Sequence, residues 1–367
     1  MILTNLKLLN FRNYQNLYLE FHPKLNIFYG KNGSGKTNLV EAIYVLGLTR
    51  SFRLSNDKLL ILNNATIAKV EGNIYDRYDT NYRIIIGNDG KKVKINNNKV
   101  NKLSDYISKI NIILFNPDDK KFIKDTPSIR RRSLNIDISE INISYLKYLG
   151  VYNKLLKQRN AYLKQMLINH NKDSSFLDIL TDKIIKLGLK IYNIRKDFIS
   201  QINSFIGEYY KKITFNDGLK IEYVSDYNNK NEEEILEMYR NSLNKDLTFG
   251  KTRCGIHVDD LKFTLNGLDL KDYGSEGEQK NAIIAYKFSE IQIFKEITGS
   301  YPILILDDLF SEIDKEKILN IFNLLNDKVQ TFITTTEIDK YTNLEKNSCK
   351  LYEICSGGVV KESFYEW

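Results

Sequence analysis

Cysteine is scarce in this sequence: Cys254, Cys349 and Cys355 are the only three among 367 residues. They show no Cys-x-x-Cys spacing, and an odd number cannot pair fully within one chain. Neither a disulfide framework nor a cysteine-rich zinc site is expected. Histidine is equally sparse. His22, His170 and His257 lie far apart in the sequence, which argues against a histidine metal cluster. No apolar run approaches the roughly 20 residues needed to span a bilayer. The opening MILTNLKLLNFRNYQN lacks the apolar core and small-residue cleavage site of a secretory signal, so a cytoplasmic location with no membrane partner is the expectation. The sequence also lacks internal repeats and long low-complexity tracts, and proline is absent from residues 139 to 212.

What is present is ordinary for a globular protein: 42% hydrophobic and 27% charged residues. The length supports a large core and more than one lobe. The net charge is +8 with a pI near 9.0. A positive balance favours anionic partners such as nucleic acid, and it equally fits an Asn-, Lys- and Ile-rich composition of AT-rich coding origin.

The first thirty residues read as strands, with Leu17, Leu19 and Phe21 alternating at period two and Leu25–Tyr29 as a short buried strand. A helix follows, with Leu39, Ile43 and Leu46 on one face. Residues 66 to 115 read as antiparallel ribbons turning at Asn96-Asn97-Asn98. From about 139 to 212 the spacing is helical, broken by the polar Asn169 to Ser175. Residues 231 to 244 predict a further helix. Strands return from 256, followed by a helix from about 276 to 296, an apolar strand at 303 to 306, a helix from about 314 to 326, and strands at 329 to 335 and 350 to 365.

The segment GKNGSGKT, residues 30 to 37, fits G-x-x-x-x-G-K-[ST] at every fixed position. Gly30, Gly33 and Gly35 allow the backbone to turn tightly, so that the N–H groups of the loop, with Lys31, Asn32 and Ser34 among them, point at phosphate oxygens. The helix that starts near Lys36 adds its positive dipole end. Lys36 reaches the outer phosphates and Thr37 offers a hydroxyl to Mg²⁺. The flanking strand and helix are the context that such a loop requires.

A second motif, ILILDDLFSEID, spans 303 to 314. Its apolar strand ends in Asp307, a candidate Mg²⁺ ligand opposite Thr37. Asp308 is a candidate to orient or deprotonate an attacking water. The alternative is a buried strand that runs into an acidic helix cap. The 270 residues between Thr37 and Asp307 exceed the spacing of simple kinases and GTPases and suit an ATPase head with an inserted lobe. A third segment, Ser275-Glu-Gly277-Glu-Gln279, opens a helix whose N–H groups could bind phosphate. An ordinary helix start with a serine cap accounts for it equally well.

Taken together, these segments resemble the RecF family of bacterial recombination-repair ATPases. The likeness runs through LKLLNFRNYQNL, GKNGSGKTNLVEAIYVL, LTRSFR at 48 to 53, NPDDKKFIKDTPSIRRRSLN at 116 to 135, QRNAYLK at 158 to 164, PILILDDLFSEID and QTFITTT at 330 to 336. Among the departures from the family pattern, Val258 stands where an arginine is usual, Lys280 replaces an arginine after the signature, and Asn135 replaces an aspartate.

The resemblance implies an α/β fold, an ABC-type P-loop ATPase head of mixed sheet and helices with an inserted α-helical lobe. The expected division is residues 1–118 and 251–367 for the head and 119–250 for the lobe. Two helices of about 30 residues are too short for the long coiled coil of SMC proteins. The implied cofactors are ATP and Mg²⁺, with ATP sandwiched in a homodimer between the 30–37 loop of one subunit and Ser275, Gly277 and Gln279 of the other. Slow hydrolysis would then release the dimer. The implied partners are duplex and gapped DNA, RecR and RecO, and indirectly RecA. Arg130, Arg131, Arg132, Lys154, Lys157 and Arg159 are candidate DNA contacts, and each is also readable as part of a solvated helix face. A transporter ATPase subunit would carry LSGGQ and a histidine where Thr334-Thr335-Thr336 stands. A non-hydrolysing DNA clamp is the third alternative.

Overall fold

The computed structural model describes residues 1–169, 174–309, 315–325, 328–338 and 349–365. It divides into two units, Met1–Asp119 with Lys287–Trp367, and Lys120–Tyr286.

The first unit contains two six-stranded sheets. Strands β1 (Ile2–Phe11), β2 (Tyr14–Glu20), β4 (Ile67–Tyr75), β5 (Asp79–Gly87), β6 (Gly90–Ile95) and β7 (Asn98–Lys99) form an antiparallel sheet in the order β2-β1-β4-β5-β6-β7. Strands β3 (Leu25–Tyr29), β8 (Ile112–Phe115), β12 (Ile303–Asp307), β13 (Thr331–Thr335), β14 (Cys349–Cys355) and β15 (Gly358–Tyr365) form the other, in the order β15-β14-β3-β13-β12-β8. All of its pairings are parallel except β14 with β15. The sequences of the two sheets differ as their environments require. β12 and β13 are buried at every position, as parallel strands covered on both faces must be. β4 and β5 alternate, with Tyr82, Ile84 and Ile86 buried and Asn81, Arg83 and Ile85 on the wetter side.

Helix α1 (Lys36–Leu48) packs against both sheets, and eleven of its residues are buried. It therefore reads as apolar nearly all round, each fully buried Leu, Ile or Val contributing about 1.5–3 kcal/mol. Gly47 is required for its fit, since a Cβ there would lie 2.5 Å from Ile112 Cδ1 of β8. Buried Gln330 ties the sheets together. Its side chain accepts from the Leu3 N–H at 2.7 Å and donates to Leu3 O at 2.9 Å and His22 O at 3.0 Å. Among the described residues, the other α-helices lying wholly in this unit are α2 (Ser104–Ile107) and α10 (Lys315–Leu324). The expected start of α10 at 314, and Phe310 to Asp314 of the acidic motif, lie outside the described residues.

The second unit holds α3 (Lys121–Lys124), α4 (Pro127–Ile141), α5 (Ile143–Asn169), α6 (Ser175–Thr214), α7 (Glu232–Phe249) and α8 (Leu270–Tyr273). Helix α9 (Glu276–Thr298) starts in it and crosses the division after Tyr286. Helix begins at 127, earlier than its expected start near 139, with proline in the first turn where a missing N–H costs nothing. The capping box of Asn231 and Glu234 fixes the start of α7. Strands β9 (Leu219–Val224), β10 (Asp260–Leu265) and β11 (Leu268–Asp269) make a small antiparallel sheet. The pairing of β9 with β10, Asp260 opposite Val224, ties residues 251–286 to the helices. The second unit therefore ends at 286, beyond the expected lobe boundary at 250.

Candidate phosphate-binding site

The parallel ladder sets β13 between β3 and β12, with Thr334 beside Phe28 on one side and Asp307 on the other. The carboxyl ends of these three strands thus lie together, the position where open α/β sheets bind ligands. β3 leads into the loop at Gly30, whose φ is +150° and where a Cβ would lie 2.4 Å from Ile354 O. Gly35, at φ +117°, carries the chain into α1, and a Cβ there would lie 2.6 Å from Asn13 Nδ2. Both positions exclude a side chain by backbone conformation and by space. The outer side of the loop is held by neighbours: Tyr14 Oη donates to Gly35 O at 3.0 Å, and the Gly357 N–H donates to Ser34 O at 3.0 Å. Lys31, Asn32 and Gly33 are exposed.

No side chain caps α1 and no acidic residue stands in its first turn. Its first N–H groups have no intrahelical acceptor. Lys36, 8% exposed, puts a cation at this positive dipole end, an arrangement that favours an anion nearby. Its Nζ donates to Gly30 O at 2.7 Å and Lys31 O at 2.9 Å. Burial lowers its pKa, against the opposing pull of Asp308 and Asp307. The Ser34 hydroxyl, buried in the same loop, has no hydrogen-bond partner among the described residues. These donors fit a bound phosphate chain.

Asp307, 3% exposed, accepts at Oδ1 from Thr334 Oγ1 at 2.7 Å and Thr37 Oγ1 at 3.1 Å. Burial raises its pKa, partly countered by the Thr334 and Thr37 hydrogen bonds. Among the described residues no Lys or Arg lies within ion-pair distance of it, nor does any group of three or more carboxylates, histidines or cysteines assemble as a cation cage. One carboxylate beside a threonine hydroxyl fits Mg²⁺, which takes few protein ligands and shares phosphate oxygens. Asp308 is exposed, has φ +50°, and its backbone N–H donates to Thr334 Oγ1 at 3.0 Å. Thr334 thereby fixes both aspartates.

Ser275, Gly277 and Gln279 belong to the second unit, at the start of α9. Ser275 and Glu278 form a capping box: the Ser275 N–H donates to Glu278 Oε2 at 2.8 Å, and the Glu278 N–H donates to Ser275 Oγ at 3.3 Å. Ser275 and Gly277 are exposed. Gln279 is buried, and its amide donates to Leu270 O at 2.7 Å and Gly274 O at 3.1 Å.

Sequence reasoning missed Asn13, Tyr14, Glu41 and Thr334 as supports of the site. Glu41, fully buried on α1, accepts from Arg12 Nε at 2.7 Å and Arg12 Nη2 at 3.1 Å and from the Ser51 hydroxyl. The signal was there, since Phe11 to Tyr14 and Leu48 to Arg53 both fall in the segments that carried the resemblance.

The comparisons with known proteins follow this geometry. Residues 2–355 match the RecF/RecN/SMC N terminal domain family. The DNA replication and repair protein RecF of Staphylococcus epidermidis is 37% identical over 371 residues, covering 98% of this chain and all of that protein. The chain belongs to the RecF family. A solved structure of the recombination mediator protein RecF-ATP in the RecFOR pathway superimposes with a TM-score of 0.89 at 30% identity, covering 100% of this chain and 98% of the other. The Smc head domain from Pyrococcus furiosus shares the fold, with a TM-score of 0.56 at 17% identity. The α/β architecture of an ABC-type head, with mixed sheet and helices, is thus established.

Two of the candidate DNA contacts are corrected. Arg130 is 3% exposed: it bridges Asp260 at 2.6 and 2.9 Å and donates to the carbonyls of Phe122, Ile123 and Asp125. Arg159 is 1% exposed and bonds Asp246 at 2.8 Å, Thr252 at 2.7 Å and Thr181 at 3.0 Å. Neither has a donor left at the surface. Arg131 donates to Asp259 O at 2.6 Å, while Arg132, Lys154 and Lys157 are exposed. The family departures also have places. Asn135 Oδ1 accepts from Arg195 Nη2 at 2.9 Å and from the Tyr145 hydroxyl, as a neutral stand-in for a carboxylate. Val258 is 41% exposed, so its change leaves the interior untouched.

Proposed function

We propose that this chain is an ATP-driven switch of recombinational DNA repair. The observation that carries the reading is the convergence of Lys36, Thr37, Asp307 and Thr334, from three separate strand ends, on one loop rich in free donors. Gly30–Thr37 would hold the phosphates through backbone N–H groups, the Ser34 hydroxyl and Lys36. Thr37 and Asp307 would hold Mg²⁺. Bound Mg²⁺–ATP would supply the phosphoanhydride bond and neutralise its developing charge. The Asp308 carboxylate would orient a water and take its proton, its backbone fixed by Thr334.

The capped start of α9, with Ser275 and Gly277 exposed, supports a role on nucleotide held by a second copy of the chain. Gln279 would act there through the turn it ties to Leu270 and Gly274. Two nucleotides would then join two subunits, and slow hydrolysis, stimulated by DNA, would part them. Relatives described as a recombination mediator in the RecFOR pathway and as a DNA replication and repair protein support DNA as the partner, which we take to be duplex and gapped DNA. RecO and RecR would be the partners, and RecA loading in the cytoplasm the outcome.

Sedimentation and DNA titration of wild type and Lys36→Ala test this. ATP, and not ADP, should dimerise the wild type and tighten duplex binding. Lys36→Ala should lose at least tenfold in nucleotide affinity, about 1.4 kcal/mol or more. Nucleotide-independent dimers, or equal DNA affinity in both states, would sink the reading.

A further inference from the structure

The outer face of the antiparallel sheet carries a set of charges that the nucleotide site does not use. Alternation places Lys7 of β1, Lys69 of β4, Arg83 of β5, Lys92 and Lys94 of β6 and Lys99 of β7 on this face, opposite the side that packs on α1. The register aligns them across the strands. Lys7 faces Glu71, Glu71 faces Arg83, Arg83 faces Lys94, and Lys94 faces Lys99. Like charges directly opposite on neighbouring strands, roughly 5 Å apart, destabilise a sheet. Here three cations follow one another over three strands.

The carboxylates on the face, Glu20, Glu71 and Asp79, do not balance these six cations. Glu71 is taken by Lys69 at 2.5 Å and Arg83 at 2.8 Å. Glu20 accepts from the Tyr18 hydroxyl at 3.0 Å. Lys7, Lys92, Lys94 and Lys99 have no ion-pair partner among the described residues. Lysine on an edge strand also guards against edge-to-edge pairing. That role accounts for Lys99 on the terminal strand, but Lys7 and Lys69 sit on interior strands. Exposed Tyr18 and Tyr75 stand on the same face, at 55% and 51% exposure. Tyr18 stands opposite the unpaired Lys7, and an aromatic beside such a cation suits a sugar-phosphate chain better than an acidic protein surface.

We infer that this sheet face is a contact surface for the phosphate backbone of duplex DNA. It rests on the DNA-binding reading above and assigns that binding a place. Lysines on strands give no bidentate, base-reading geometry, so the contact is independent of sequence. A second copy of the chain is a poor occupant, because two such faces repel.

The test is the full-length triple variant Lys92→Gln/Lys94→Gln/Lys99→Gln, with the corresponding triple Arg variant as its charge-preserving control. Duplex affinity is measured across a salt series with ATP present. Neutralising one phosphate-binding lysine should flatten the slope of log affinity against log salt by about 0.9, so the Gln variant should flatten it by roughly 2 to 3 and the Arg variant should not. Binding of a fluorescent ATP analogue should stay unchanged in both, which also shows that both are folded. A Gln variant that keeps the wild-type slope, or one whose dimerisation changes without DNA, overturns the assignment. Absence of duplex binding by wild type would instead overturn the DNA-binding reading itself.

Discussion

The second unit and the antiparallel sheet of the first unit are both rich in basic residues, and they use them in opposite ways. Arg130, Arg159 and Arg195 of the second unit are at most 3% exposed, each paired with an aspartate far along the chain. The cations of the sheet other than Lys91 stand outward, and most of them lack a carboxylate among the described residues. Arginine suits the interior because its planar fork donates several hydrogen bonds at once, so one side chain satisfies carbonyls and a carboxylate together. Lysine suits the sheet because its stem lies along the strands while its ammonium stays in water. A buried arginine of the second unit therefore signals architecture, and an unpaired lysine on the outer sheet face signals a partner.

The largest break in this comparison would come at Arg195. It donates to Asp259 Oδ2 at 2.8 Å, Ile256 O at 2.7 Å and the Tyr145 hydroxyl at 2.9 Å, and Asp259 Oδ1 has no hydrogen-bond partner among the described residues. Burial already raises the Asp259 pKa, opposed chiefly by Arg195. Arg195→Met should cost about 3–5 kcal/mol in chemical denaturation. The sign of the pH effect follows. A carboxyl whose folded pKa is raised is penalised when charged, so the variant should regain stability as pH falls and Asp259 takes a proton. If instead the variant keeps its stability and loses DNA affinity, the internal role of these arginines is wrong.

Arg159→Lys should have a middle effect. An ammonium cannot reach Asp246, Thr252 and Thr181 with the same geometry, nor keep the guanidinium 5.2 Å from the Tyr239 ring centroid. A loss of about 1–3 kcal/mol is expected, with the charge and the DNA salt slope unchanged. A changed slope would place Arg159 at the surface after all.

Glu71→Gln should have the smallest effect and sharpen the comparison from the sheet side. Burial disfavours its charged form, but bonds from Arg83 and Lys69 outweigh this and bring its pKa down to about 2. For such a carboxylate the stability is present above its unfolded value of 4.5 and is lost as pH falls towards 2. Glu71→Gln should therefore flatten acid unfolding between those limits, and free Lys69 and Arg83 to steepen the DNA salt slope. Unfolding curves that coincide over this pH range would show that the pair contributes nothing.

What could be read in the sequence depended on distance along the chain. Gly30 to Thr37 is contiguous, and its setting between strand and helix was legible without a structure. So was the apolar strand ending at Asp307. Thr334 was visible as a residue but not as the group that holds both aspartates, because that role depends on the parallel register of β12 with β13. Arg130 and Arg159 were misread as surface cations for the same reason. Their partners Asp260 and Asp246 lie 130 and 87 residues away, and helix spacing alone does not show which face meets them. The second unit runs past the expected boundary near 250 because β9, unread in the sequence, pairs with residues 260–265.

The strand order has a consequence in time. β3 emerges among the first thirty residues, yet its two neighbours in the parallel sheet are β13 and β14, close to the end of the chain. During synthesis the strand that carries the phosphate loop has no edge to join for about 300 residues, or roughly 15–60 s at about 5–20 residues per second. Asp307 and Thr334 arrive in the same late stretch. A ribosome that stalls before them releases a chain whose loop has its glycines and its lysine but no sheet to hold them and no carboxylate across from Thr37. A copy cut short before β12 and β13 therefore keeps the sequence of the loop but lacks the strands and the carboxylate that shape its site.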